Sequence, residues 1–184
     1  MLEEYLRGNL PGRVDNMKKS LEHYEENAFI QASAERVFAY ADNFYNFSSH
    51  MNKSTWMMGG GEMETTVDAG NGQKVGSHIQ MDGKVFGVNL FLDEVVEVHE
   101  PPKRKEWKTV GKINLLVIDH YVLGFYIESQ DNTSKLTIYI DYGLPNSLKT
   151  RWLGYVFGEM YAKWCVQQMI NGVKEHFNNK KGGE

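Results

Sequence analysis

The sequence predicts an α+β domain in which one long C-terminal helix lies against an antiparallel sheet, and three observations predict it. Trp152, Tyr155, Ala162, Val166, Met169, Ile170, Val173 and Phe177 recur at three- and four-residue spacings, so they form one apolar stripe on a helix over residues 147–177. Between residues 62 and 142 the helical period disappears, and six strand-like runs follow one another through short turns. Ahead of them, residues 26–44 read as a strand followed by a helix. The order is strand, two helices, six strands, long helix.

Residues 1–22 read as an arm. Pro11 and Gly12 break it, and Val14, Met17, Leu21 and Tyr24 then share one side of a short helix. That face is expected to pack on the rest of the chain, with a partner or membrane surface as the alternative. In the run ENAFIQASAERVFAYADNF, Ala28, Ile30 and Ala32 alternate as a strand. Ser33 is placed to cap a helix whose Val37, Phe38, Ala41 and Phe44 share a face. A second short helix is expected over 47–53, followed by Trp56, Met57, Met58 and three glycines that end regular structure.

The six runs fall at 62–68, 74–81, 85–98, 105–110, 115–128 and 135–142. Ala69-Gly70-Asn71-Gly72 signals a hairpin turn between the first two, Pro101-Pro102 breaks the chain after the third, and 129–134 is a polar turn. Leu136, Ile138 and Ile140 against Thr137, Tyr139 and Asp141 have the parity of a sheet with one covered face. Run 115–128 carries large apolar groups at both parities, which fits either burial on both sides or a bulge. The final helix starts at a cap on Asn146 or Ser147 and spans roughly 45 Å at 1.5 Å per residue. Leu153, Phe157, Met160, Tyr161 and Trp164 give its first half a second apolar stripe.

This order of elements resembles the helix-grip, birch-pollen-allergen-like and START-related superfamily, in particular its bacterial polyketide cyclase/dehydrase-like branch. The segments that carry the resemblance are residues 26–44, KVFGVNLFLDEVVEVHEPPKRKEWK at 84–108, and the terminal helix. The resemblance implies a curved seven-stranded antiparallel sheet wrapped around the long C-terminal helix, two short helices after the first strand, and a cavity between sheet and helix for lipids, sterols, polyketides or other apolar ligands. It covers about residues 26–177, which places a ligand-binding domain at 23–178 and a flexible tail at 179–184.

Composition narrows the function. A chain of 184 residues that is 41% hydrophobic can bury one substantial core. A net charge of −4 gives phosphates no basic surface, so neither nucleic acid nor an anionic membrane is an expected partner. Cys165 is the one cysteine, and no uninterrupted apolar run approaches eighteen residues. A cytoplasmic protein, monomeric or weakly homodimeric, is expected, with no integral membrane association.

For the cavity wall, the sequence offers Trp152, Tyr155 and Glu159 from the long helix, Phe47 and Trp56 at the mouth, and Phe91, His120, Tyr121, Tyr126 and Tyr139 from the strands. Each aromatic can equally be ordinary core. Glu159 falls on the apolar stripe, where desolvation would raise its pKa; an exposed pair with Lys163 is the alternative. His120 and Glu159 are therefore the candidate acid/base groups. His78 is a second histidine that could point inward. The six histidines show no helical metal spacing, and neither a metal nor a cofactor is expected. Cys165 reads as inert packing. The leading expectation is a protein that binds or carries an apolar small molecule. A cyclase- or dehydratase-type enzyme is the second, and an interaction module resembling heat-shock ATPase activators the third.

Overall fold

The structure, a computed structural model, describes residues 21–47, 62–85, 87–145 and 151–179. The arm up to residue 20, Trp56, the expected helix cap at 146–147 and the tail beyond 179 lie outside the described residues.

The elements run β1 (Glu22–Ile30), α1 (Ala34–Asp42), α2 (Phe44–Phe47), β2 (Glu62–Val67), β3 (His78–Val85), β4 (Val88–Glu100), β5 (Arg104–Asn114), β6 (Tyr121–Gln130), β7 (Thr133–Tyr142) and α3 (Arg151–Asn179). The strands form one seven-stranded sheet ordered β1-β7-β6-β5-β4-β3-β2, in which every neighbouring pair is antiparallel. This is the helix-grip architecture, with α3 lying against the sheet and the two short helices between β1 and β2.

Several boundaries differ from the sequence reading, each for a local reason. Ser33 occupies the N-cap of α1, yet its hydroxyl makes no capping bond; its carbonyl accepts the Val37 N–H at 3.1 Å. A short helix α2 occupies Phe44–Phe47, after α1 stops at Asp42 with Asn43 extended; of the helix expected over 47–53, residues 48–53 lie outside the described residues. The turn after β2 is longer than a tight hairpin. Asn71 and Gly72 both take positive φ, and the Asp68 carboxylate accepts the N–H groups of Gly70 at 2.9 Å and His78 at 3.0 Å. The run at 115–128 is not one strand, since residues 115–120 leave the sheet and pairing resumes at Tyr121. Register shifts fall instead in β4, between Phe91 and Asp93 and between Val96 and Val98, where they bend the strand.

The stripe on α3 is correct from Ala162 onward: Ala162, Val166, Met169, Ile170, Val173 and Phe177 are buried. Toward its N-terminus the inward face belongs to Gly154 and Gly158. An added Cβ at Gly154 would meet Pro145 Cδ at 2.4 Å and the Val117 carbonyl at 3.2 Å; at Gly158 it would meet Leu144 Cδ2 at 3.2 Å. The helix presses so close here that a Cβ at Gly154 would clash and one at Gly158 would be tight, and the large side chains turn outward. Trp152, Tyr155, Val156, Phe157 and Met160 are exposed in consequence.

At the other end of the interior the α1 carboxyl of Asp42 pins helix to sheet. Lys105 Nζ donates to Asp42 Oδ1 at 2.7 Å and to the Asp42 carbonyl at 2.9 Å, and His99 Nε2 lies 3.0 Å from the same Oδ1. Lys105 is 1% exposed. Desolvation lowers its pKa, and the Asp42 carboxylate holds against that shift.

Candidate functional site

The cavity lies beside the point where β5 and β6 part company, with Trp107 and Tyr121 in its wall. The β5–β6 pairing runs only from Arg104↔Tyr126 to Lys108↔Val122. Beyond it, Thr109 Oγ1 accepts the Tyr121 N–H at 3.0 Å, and the link at 115–118 folds over the gap. The space open to the centre of a water molecule is about 40 Å³, within about 530 Å³ of non-atom space that includes open solvent. Phe44 and Phe47 of α2 close one side; Met81, Leu92, Glu94, Trp107, Tyr121, Leu123 and Ile140 come from the sheet, Leu115 and Ile118 from the link, and Tyr161, Cys165 and Met169 from α3. Most of this wall is apolar.

Glu94 is the exception. It is 1% exposed, and its Oε1 accepts a hydrogen bond from the Tyr121 hydroxyl at 2.5 Å, while Oε2 has no partner. Burial pushes the carboxyl from its ordinary 4.5 up to about 7, against the opposing pull of the Tyr121 hydroxyl and the Trp107 indole. The indole N–H bears on this carboxyl without closing a hydrogen bond, and Trp107 Nε1 has no other partner. On the facing helix, Tyr161 bears on the Cys165 thiol, which burial raises to about 12. That thiol stays protonated at neutral pH, so it packs and does not attack. Burial also holds the hydroxyls of Tyr121 and Tyr161 well above the ordinary tyrosine value.

Of the residues the sequence offers, Phe47 and Tyr121 line this cavity. The others described lie elsewhere. Phe91 is 41% exposed, because β4 turns Leu90, Leu92, Glu94 and Val96 inward and Phe91 has the opposite parity. Tyr126 and Tyr139 sit on the outer face of the sheet, where the Tyr139 hydroxyl donates to Glu106 beside Arg104. His120 is exposed, its Nδ1 3.3 Å from Thr109 Oγ1, and lines no part of the cavity. Trp152, Tyr155 and Glu159 are exposed on the far side of α3 for the reason given by Gly154 and Gly158. His78 is exposed and faces Asp93 at 3.0 Å.

Sequence reasoning missed Glu94 and Trp107. A signal for both was present. Leu90, Leu92, Glu94 and Val96 share one parity of β4, as Lys105, Trp107 and Thr109 share one of β5, so the polar members of inward sets were readable from alternation alone.

Among the described residues, no group of three or more His, Cys, Asp or Glu could hold a metal ion, and no helix is long and apolar enough to cross a membrane.

No family model matches this sequence, and no curated protein matches it. Solved structures do. An aromatase/cyclase from Streptomyces sp. R1128 superposes with a TM-score of 0.65 at 11% identity, covering 87% of this chain and 95% of that one. A truncated norcoclaurine synthase from Thalictrum flavum gives 0.61 at 11% identity, over 88% and 96% of the two chains. The protein Ara h 8.0201 gives 0.55 at 10% identity, over 84% and 98%. At such identities the likeness is one of fold: the chain shares the helix-grip fold of these structures.

Proposed function

We propose that this chain binds or carries an apolar small molecule in the cavity between sheet and α3, with Glu94 and Tyr121 as its polar anchor. It does so in the cytoplasm, as a monomer or weak homodimer. The observation that carries this reading is one wall: an apolar lining broken by a carboxyl that is buried and half-satisfied. A carboxyl placed there solely for packing would be a cost without return, since burying it unpaired is unfavourable. The likeness in fold to an aromatase/cyclase and to norcoclaurine synthase adds support, because those names denote proteins that act on small molecules.

The test is to fill the cavity. Cys165→Trp adds a large ring on the wall. Binding of an uncharged solvatochromic dye should fall more than tenfold, with the circular dichroism spectrum retained. Unchanged dye affinity in a folded variant would refute the assignment.

One observation favours a second reading, an enzyme of cyclase or dehydratase type. A carboxyl that titrates at about 7 can both take and return a proton at neutral pH. In that case turnover of an offered polyketide chain follows the ionisation of Glu94, and Glu94→Gln abolishes it in a folded variant.

A further inference from the structure

We propose that the outward face of the first turns of α3 is a dimer surface, on which a second copy of this chain docks antiparallel to the first about a two-fold axis beside Tyr155. This pairing gives the weak homodimer a defined surface and does not depend on what the cavity holds. Trp152, Tyr155 and Val156 are 58%, 64% and 60% exposed, and Phe157 and Met160 add 37% and 40%. From the size of such side chains the patch is on the order of 500 Å², at the upper end of what a lone soluble domain leaves bare.

Two rows of residues, each spaced by four, make this face complementary to itself. Trp152, Val156 and Met160 form one row, and Arg151, Tyr155 and Glu159 form the row beside it. The second row carries a cation at one end, a ring in the middle and an anion at the other end, with the two charges about 12 Å apart along the axis. An antiparallel copy reverses the row, so each Arg151 faces the partner's Glu159 while the rings meet at the centre. A parallel copy would set like charges on each other. Both charges are free to serve. The Arg151 guanidinium lies 5.7 Å over the Tyr155 ring and donates to its hydroxyl at 3.2 Å, which holds it along the row. Among the described residues Glu159 forms no ion pair, even with Lys163 four residues on.

Other occupants fit less well. An anionic membrane does not suit a chain of net charge −4, and only a second copy of the row itself must match a charge pattern that reverses about its own centre. A stable interface buries about 800 Å² on each side, more than this patch supplies, so the association is weak and reversible.

Sedimentation equilibrium of the full chain at low salt, from about 10 µM to about 1 mM, reads the pairing. The wild type should show a monomer–dimer equilibrium that weakens as salt rises. Arg151→Glu alone, or Glu159→Arg alone, sets like charges opposite each other twice in every dimer and should weaken self-association at least about tenfold, with the circular dichroism spectrum unchanged. The decisive sample is a mixture of these two variants. There every such contact again joins opposite charges, so the mixture should form a heterodimer about as tight as the wild-type dimer. A wild type still monomeric at about 1 mM would overturn the proposal, whether residues 1–20 or a different partner then covers the face. A wild-type dimer indifferent to both reversals would overturn the antiparallel register. A mixture no tighter than either variant alone would overturn the pairing of Arg151 with the partner's Glu159.

Discussion

Asp42 and Glu94 are both carboxyls nearly shut off from solvent, at 8% and 1% exposure, and they stand in the same interior under opposite conditions. Asp42 meets a buried cation: Lys105 reaches both its carboxylate and its carbonyl, and His99 approaches from the side. Glu94 meets a hydroxyl on one oxygen, and its other oxygen closes no hydrogen bond although the Trp107 indole bears on the carboxyl. Lys105 bears on Glu94 only as a distant charge. The first arrangement closes on itself and holds α1 to the strands. The second is incomplete, on the wall of the cavity, and incompleteness at a cavity is how a site differs from a strut.

The comparison breaks most easily at its closed half. Asp42→Ala leaves Lys105 buried without its partner, and breaking a buried pair from one side costs about 3–5 kcal/mol. The denaturation midpoint should fall accordingly at constant slope in denaturant. A loss under about 1 kcal/mol would mean that Asp42 holds nothing, and the contrast with Glu94 would disappear.

The open half is read by pH. Glu94 is raised, so in the unfolded chain it ionises near 4.5 and in the folded chain near 7. Between those values the folded state holds a proton that the unfolded state has lost, and stability falls as pH rises. Over that window the loss is about 3 kcal/mol, fully developed above pH 7 and absent below 4.5. Glu94→Gln should remove the decline, leaving the variant more stable than the wild type at pH 8 and little changed at pH 4. A wild-type protein whose stability stays flat from pH 5 to pH 8 would place an ionised, well-solvated carboxyl at this position.

The same pair shows what could be read in the chain beforehand. The architecture was legible because it rests on a period of 3.6 residues in α3 from Ala162 to Phe177 and on turn residues between the strands; β7, read as covered on one face, is buried at both parities from Leu136 to Ile140. The site was less so. Hydrophobicity put Trp152 and Tyr155, and with them Glu159, on the inner face of α3, whereas contact distance decided the matter and selected Gly154 and Gly158. Small residues one turn apart mark a close approach more reliably than large apolar ones mark a core, when both faces of a helix are apolar. Glu94 was legible in principle from its parity with Leu92 and Val96. That Tyr121 would meet it was not, since the two belong to strands separated by β5 and joined only by curvature.

Tyr121→Phe gives the smallest effect and the finest adjustment. The Tyr121 hydroxyl bonds the Glu94 carboxyl and pulls its pKa downward against burial. Removing it takes away support from the ionised form, so the folded-state value should climb above 7 and the pH window of declining stability should widen upward. At pH 8 the variant should lose about 1.5–3 kcal/mol, the worth of one hydrogen bond to a charged group. At pH 4, where the carboxyl is neutral in both states, the loss should be smaller. Carbon-13 titration of the Glu94 carboxyl would follow the shift directly. A downward shift, or none, would mean that the hydroxyl does not serve the carboxylate, and that Glu94 stands as alone on its first oxygen as it does on its second.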